Sequence, residues 1–205
     1  IVASGTEDSQ LQNKLAGTSI RHVGLRHLIR RISPVQDFLA VWEIGNLIKR
    51  EKPDIVHVNS SKAGVAGSLA AKIWGRAKVV FTMHGLILTE PLGFLKKLFY
   101  SWGERISAGW QDALIAVSEA DRDAALRHRL KSPDKITVIH NGLDLSKLIF
   151  LTREEARGNL AELAQTDLKK KLLAITVADF YPAKGHVFLV NAAFEVLKKF
   201  PNAVF

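Results

Sequence analysis

The sequence predicts an α/β protein, a parallel sheet flanked by helices on both faces. Apolar, β-branched runs are short and continuous rather than alternating, as strands covered on both sides require. Amphipathic helical stretches fall between nearly all of them, and strand–helix alternation favours parallel pairing through crossovers. Polar residues and glycines follow each run, where ligands of open parallel sheets bind.

In chain order, the run Ser19 to Val23 is a weak strand candidate. Pro34 to Arg50 carries Val35, Phe38, Leu39, Val41, Trp42, Ile44, Leu47 and Ile48 in a helical stripe. Ser33 is placed to cap that helix, Pro34 suits its first position, and Pro53 ends it. Ile55 to Val58 is a strand. Lys62 to Trp74 is a helix of small residues that can lie close on a sheet. Val79 to Thr82 is a strand, followed by a helix over Leu92 to Trp110. Ala113 to Val117 and Ile136 to Ile139 are strands on either side of a helix over Ser118 to Leu130. Asn141-Gly142 signals a turn. A helix over Arg153 to Gln165, a strand over Leu172 to Val177 and a helix over Gly185 to Phe200 follow. The domain boundary is expected near 142–152.

The 205 residues are 47% hydrophobic and 24% charged, a globular balance that excludes a disordered or low-complexity chain. With no cysteine, a disulfide framework, a thiolate metal site and a cysteine nucleophile are excluded. No apolar run approaches the roughly 18 residues of a membrane span. The net charge is +9. Up to Asn141 there are 20 basic and 13 acidic residues, so most of the excess lies there. Such a surface suits an anionic membrane or a phosphorylated ligand; scattered arginines without a binding module argue against nucleic acid.

The strand exits hold the candidate site. They are Asn59-Ser60-Ser61-Lys62-Ala63-Gly64, His84-Gly85, Ser118-Glu119, His140-Asn141-Gly142 and Asp179 to Gly185. Ser60, Ser61 and Lys62 open a helix, where free N–H groups, hydroxyls and an ammonium suit an anion, although Ser61 also fits an ordinary cap. His84 reads equally as a site residue or as a histidine bonding a backbone carbonyl. Ser118 with Asp121 forms an S-x-x-D cap. Lys184, taken alone, reads as a solvated side chain. Glu154 and Glu162 share one helix face, yet on a charged helix they read as solvated glutamates. The helix 92–110 mixes aromatic and apolar residues with Lys96, Lys97 and Arg105. That composition fits either the core or an anionic membrane surface.

Five segments in order resemble glycosyltransferase family 4. They are Lys52-Pro53-Asp54-Ile55-Val56-His57-Val58-Asn59-Ser60-Ser61-Lys62-Ala63-Gly64, Val80-Phe81-Thr82-Met83-His84-Gly85, and Ile115-Ala116-Val117-Ser118-Glu119-Ala120-Asp121-Arg122. The last two are Val138-Ile139-His140-Asn141-Gly142-Leu143-Asp144 and Val177-Ala178-Asp179-Phe180-Tyr181-Pro182-Ala183-Lys184-Gly185-His186. The resemblance implies a GT-B architecture of two Rossmann-like domains: an acceptor-side domain over 1–142, missing its first strand, then a linker and the start of a nucleotide-sugar domain over 143–205. It implies transfer of a sugar, with retention, from a nucleotide-diphosphate sugar to a lipid-linked or saccharide acceptor. No metal and no further cofactor are expected. His84 would be the catalytic residue at the transferred sugar. Lys184 and Gly185, with Asn141 and Gly142, would serve the donor phosphates, and Asn59, Ser60, Ser61, Lys62 and Gly64 the acceptor side. Where many members place Arg or Asn this chain has Asp179, which would repel a diphosphate. The resemblance places a glycine-rich loop before Ile1 and an E-x7-E motif beyond Phe205, so the 205 residues alone are expected to be inactive. Bacterial surface-polysaccharide synthesis is the implied setting, in the cytoplasm at the inner face of the plasma membrane. A UDP-N-acetylglucosamine 2-epimerase-like enzyme and a non-catalytic membrane- or partner-binding remnant are the competing readings.

Overall fold

The computed structural model describes residues 1–5, 9–29, 31–85 and 93–205, without the side chains of residues 9, 10, 95, 96, 99 and 183. It divides into two units, Ile1–Asn141 and Gly142–Phe205.

In the first unit, β1 (Val2–Gly5) pairs in parallel with β2 (His22–Leu25), with α1 (Ser9–Leu15) between them in sequence. The weak strand expected over 19–23 therefore begins three residues later, at His22, and ends at Leu25. β1 escapes a pattern search because its four residues, Val-Ala-Ser-Gly, are mostly small and only Val2 is β-branched.

α2 (Pro34–Glu51) buries Ala40, Ile44, Gly45 and Ile48, one stripe at helical spacing. Its start keeps Ser33 at the expected N-cap position, with Pro34 first in the helix. Ser33 is the N-cap residue but its hydroxyl makes no cap bond; its backbone N–H instead donates to the Asp37 carboxylate at 3.1 Å. Lys52 ends the helix in the left-handed region, φ 46°, and Pro53 forbids continuation.

β3 (Ile55–Asn59), β4 (Lys78–Met83), β5 (Ala113–Ala116) and β6 (Ile136–Val138) form one parallel sheet in that order. α3 (Ser61–Trp74) buries Gly64, Ala66, Gly67, Ser68, Ala70 and Ala71. That small-residue face brings it close to the sheet: a Cβ on Gly67 would stand 2.6 Å from Val58 Cγ1. Leu25, Ile44, Ile48, Val58 and Val79 form one core cluster, and Met83, Leu114, Ala116 and Ile136 anchor a second. α4 (Phe94–Trp110) and α5 (Glu119–Arg127) complete the first unit. Leu92, the expected start of α4, lies outside the described residues.

The second unit holds α6 (Arg153–Ala164), α7 (His186–Lys199) and the parallel pair β7 (Leu172–Leu173) and β8 (Ala203–Val204). The strand expected through Val177 is cut to two residues. Strand geometry needs a ladder partner, and β8 offers one only briefly; Ile175 and Val177 are 59% and 94% exposed.

Candidate functional site

Because β3 to β6 are all parallel, their carboxyl ends share one edge of the sheet. The register pairs Asn59 with Thr82, Met83 with Ala116, and Ala116 with Val138. The next residues along each strand bring Ser60, His84, Ser118 and His140 to that edge.

Each is held differently. Ser60 sits at φ 70° and ψ 152°, a region that side chains avoid and glycine tolerates. It is the N-cap residue of α3, with no side-chain cap bond, while Ser61 is already helical. The cap expected at Ser61 is therefore displaced by one residue. The strained backbone is invisible in the sequence, since nothing distinguishes this serine from an ordinary cap.

Lys62 is not free to meet a ligand. Its Nζ lies 2.6 Å from Asp37 Oδ1 and also donates to the Arg31 carbonyl. It ties α3 to the start of α2. Gly64 lies in α3, buried against the Phe81 ring, where a Cβ would approach to 3.0 Å. Its lack of a side chain serves helix–sheet packing. Asn59 and Ser60 remain exposed at the edge.

His84 is exposed immediately beyond β4, and Gly85 turns the chain with φ +100°. That positive φ is the physical demand for glycine here. Behind it, Thr82 is buried, and its hydroxyl is 2.7 Å from His57 Nε2.

Ser118 caps α5 as its sequence implies. Its Oγ accepts from the Asp121 N–H at 3.1 Å and donates to the Asp121 carboxylate at 2.6 Å. His140 Nδ1 bonds the Val117 carbonyl at 3.1 Å, pinning the β6 exit against the β5 exit. Asn141 and Gly142 follow in exposed, irregular chain.

The second unit carries Lys184 and Gly185. Pro182–Lys184 is a single 3-10 turn, and Gly185 closes it in the left-handed region at φ 71°. His186 Nε2 bonds the Asp179 carbonyl at 2.8 Å, and the Tyr181 N–H donates to the same oxygen at 2.8 Å. The Phe180 and His186 rings lie 5.1 Å apart, which folds the loop onto the start of α7. Lys184 is exposed at the head of α7. Glu154 and Glu162 are both exposed on α6, as solvated glutamates should be.

α4 settles which way its apolar stripe faces. Ser107 and Ala108 are buried, whereas Phe94, Leu98, Trp102 and Ile106, four residues apart, are 80%, 48%, 64% and 49% exposed. Exposed Lys97 and Arg105 flank that stripe. Near them lies His128, held below its ordinary pKa first by burial, then by the charges of Arg105, Arg127 and Lys97. The Lys96 side chain lies outside the described set. Among the described residues no helix is long and apolar enough to cross a membrane.

Comparison with known proteins adds identity to this geometry. The model of Glycosyltransferase Family 4 matches residues 1–147. The chain is 30% identical to the UDP-Gal:alpha-D-GlcNAc-diphosphoundecaprenol alpha-1,3-galactosyltransferase of Escherichia coli, over 91% of this chain and 48% of the relative. It is 29% identical to the capsular polysaccharide biosynthesis glycosyltransferase CapM of Staphylococcus aureus, over 72% of this chain and 38% of the relative. The chain thus spans half or less of the length of these relatives. Among solved structures, a glycosyltransferase from Rickettsia africae matches with TM-score 0.54 and 24% identity, over 94% of this chain and 47% of that one. A UDP-N-acetylglucosamine 2-epimerase matches with TM-score 0.54 and 16% identity, over 95% of this chain and 50% of that one. These two likenesses speak for the fold alone.

Proposed function

Since the chain belongs to glycosyltransferase family 4, we propose that the intact protein moves a sugar, with retention, from a nucleotide-diphosphate sugar to a lipid-linked or saccharide acceptor. The setting is bacterial surface-polysaccharide assembly on the cytoplasmic side. The observation that carries this reading is the common carboxyl edge of β3 to β6, where exposed Asn59, Ser60 and His84 stand together on a scaffold matched by the family.

In this reading His84 contacts the sugar as it leaves the donor and is the catalytic residue of the first unit. Lys184 provides the ammonium for negative charge growing on the nucleotide diphosphate as the glycosidic bond breaks. A fixed cation at that point favours the transition state over the ground state. Gly185 leaves the backbone open beside it, and Asn141 with Gly142 also serves the donor phosphates. The Asp179 backbone carbonyl is committed to His186 and Tyr181, while its exposed carboxylate is the group that would repel a diphosphate. No metal ion takes part, so chelation leaves turnover unchanged.

The exposed stripe of α4 with Lys97 and Arg105 is assigned to an anionic membrane surface, where a lipid-linked acceptor resides. Apolar side chains enter the headgroup boundary while the flanking cations meet lipid phosphates.

The test is turnover of the full-length polypeptide with a panel of nucleotide sugars and polyprenyl-diphosphate acceptors. Nucleotide release with a product that keeps the donor's anomeric configuration, reduced at least 100-fold by His84→Ala and by Lys184→Ala with the fold intact, is expected. Turnover equal in His84→Ala and the parent overturns the reading. Because an epimerase shares the fold at the same TM-score, the product spectrum also decides that case: a C2-epimerised free sugar in place of a glycoside replaces transfer with epimerisation.

A further inference from the structure

β3 reads Ile-Val-His-Val-Asn, an apolar run with one ring in its middle that can hydrogen-bond. That ring has a partner on the neighbouring strand. His57 Nε2 lies 2.7 Å from the Thr82 hydroxyl of β4. The parallel register sets His57 opposite Val80 and Asn59 opposite Thr82, so the bond runs diagonally, one two-residue step toward the carboxyl edge. Because strand side chains alternate, His57 and Asn59 share one face of the sheet with Val80 and Thr82. Thr82 is only 8% exposed, so its hydroxyl requires a partner inside the protein. His57 itself is exposed and outside the core clusters.

The bond falls next to the candidate catalytic residue. Thr82 stands two residues before His84, with Met83 between them. Met83 is fully buried, in the core on the other face of β4. The end of β4 is thus held from both sides, by apolar packing at Met83 and by the bond from β3 at Thr82. His84 leaves from that end, and Gly85 then turns the chain at φ +100°. A neutral hydrogen bond adds little to overall stability, yet it fixes a position. Position matters at a reacting centre, where a displacement of about 1 Å costs about 100-fold in rate.

We propose that His57 is a positioning residue for sugar transfer: its ring holds the Thr82 hydroxyl, and through it the backbone on which His84 meets the donor sugar. This rests on the transfer reaction proposed above and on His84 as its catalytic residue. The bond can run in either sense. A protonated Nε2 donates to the Thr82 oxygen, or the hydroxyl donates to an unprotonated Nε2. Glutamine at position 57 offers an amide donor and acceptor at similar reach and can take over; leucine cannot.

The test uses the full-length protein with its nucleotide sugar and acceptor. His57→Leu and Thr82→Val are each expected to lower kcat about 10- to 100-fold, with KM for the nucleotide sugar within threefold of the parent. His57→Gln is expected to restore kcat to within threefold. The double variant His57→Leu, Thr82→Val should be no slower than the worse single one, since both remove one bond. In a His84→Ala background His57→Leu should cost nothing further, because nothing is left to position. Parental kcat in both single variants, a raised KM at unchanged kcat, no rescue by glutamine, or a full further loss on top of His84→Ala each overturns the proposal. Thr82→Val keeps the branched shape, so it carries the test even if His57→Leu fails to fold. Parental turnover in His84→Ala would instead overturn the reading on which the proposal rests. A second measurement needs no turnover. The amide resonances of His84 and Gly85 in the substrate-free protein should move in His57→Leu and in Thr82→Val and return in His57→Gln. Resonances that stay in place in both variants overturn the proposal.

Discussion

At Ser60 the backbone holds φ 70° and ψ 152° with a side chain present, which costs about 1–3 kcal/mol. Such strain persists only where the surroundings enforce it, here by β3 on one side and the first turn of α3 on the other. Ser60→Gly should relieve it and raise the denaturation midpoint by the equivalent of about 1 kcal/mol, after the added freedom of the unfolded glycine is subtracted. An unchanged or lowered midpoint by urea titration contradicts the strain. Gly67 poses the opposite demand. A methyl there would sit 2.6 Å from Val58 Cγ1, a branched side chain already 7% exposed, so neither partner can yield cheaply. Gly67→Ala should destabilise by about 1–3 kcal/mol, read as a lower melting temperature. The sequence shows both residues, but only the backbone path shows that the serine is strained and the glycine indispensable.

At the scale of elements, Asp112 pins the start of β5 to β4. Its carboxylate accepts from the Val79 N–H at 2.9 Å and pairs with Lys78 at 3.0 Å, and these hold its pKa below the ordinary carboxylate value, the backbone bond first. A depressed carboxylate contributes stability that is complete above its unfolded pKa of about 3.9 and lost as pH falls through the lower folded value. Asp112→Asn should therefore lower stability at neutral pH by about 1 kcal/mol, a discounted figure because the side chain is 40% exposed, with the difference from the parent vanishing in strong acid. A gap that persists unchanged at low pH refutes the assignment. For α4, the stripe of Phe94, Leu98, Trp102 and Ile106 faces outward, so charge placed there spares the core. The pair Leu98→Glu, Trp102→Glu should reduce flotation of the full-length protein with anionic vesicles at least 10-fold while leaving its melting temperature unchanged. Equal flotation removes the membrane assignment. Sequence periodicity found this stripe but could not orient it, because an apolar face looks the same whether it meets a core or a bilayer.

Across the whole molecule the two units differ in how much they bury. Eighteen hydrophobic residues are buried among the described ones, and only Leu168 belongs to Gly142–Phe205. In that unit α7 leaves Val187, Phe188, Val190 and Phe194 between 63% and 78% exposed. Stability tracks such burial, so the 205-residue chain should not unfold in one step. Backbone amides of α6 and α7 should exchange faster than those of β4 and β5, and lose protection at lower urea. A single coincident transition across both units would show that they are energetically one.

The sequence by itself determined the α/β class, the extents of α2, α3, α6 and α7 to within a residue or two, the cap at Ser118 and the family. Each follows from local spacing, capping chemistry or an ordered set of short motifs, all written along one stretch of chain. The tertiary structure decided what depends on partners far apart in sequence. It set Lys62 against Asp37, Gly64 against Phe81, and shortened β7 to the length of its partner. It also brought Ser60, His84, Ser118 and His140 to one edge. A side chain's role at such places is fixed by what packs and pairs against it, and parallel strands acquire those neighbours only through crossovers of a dozen residues or more.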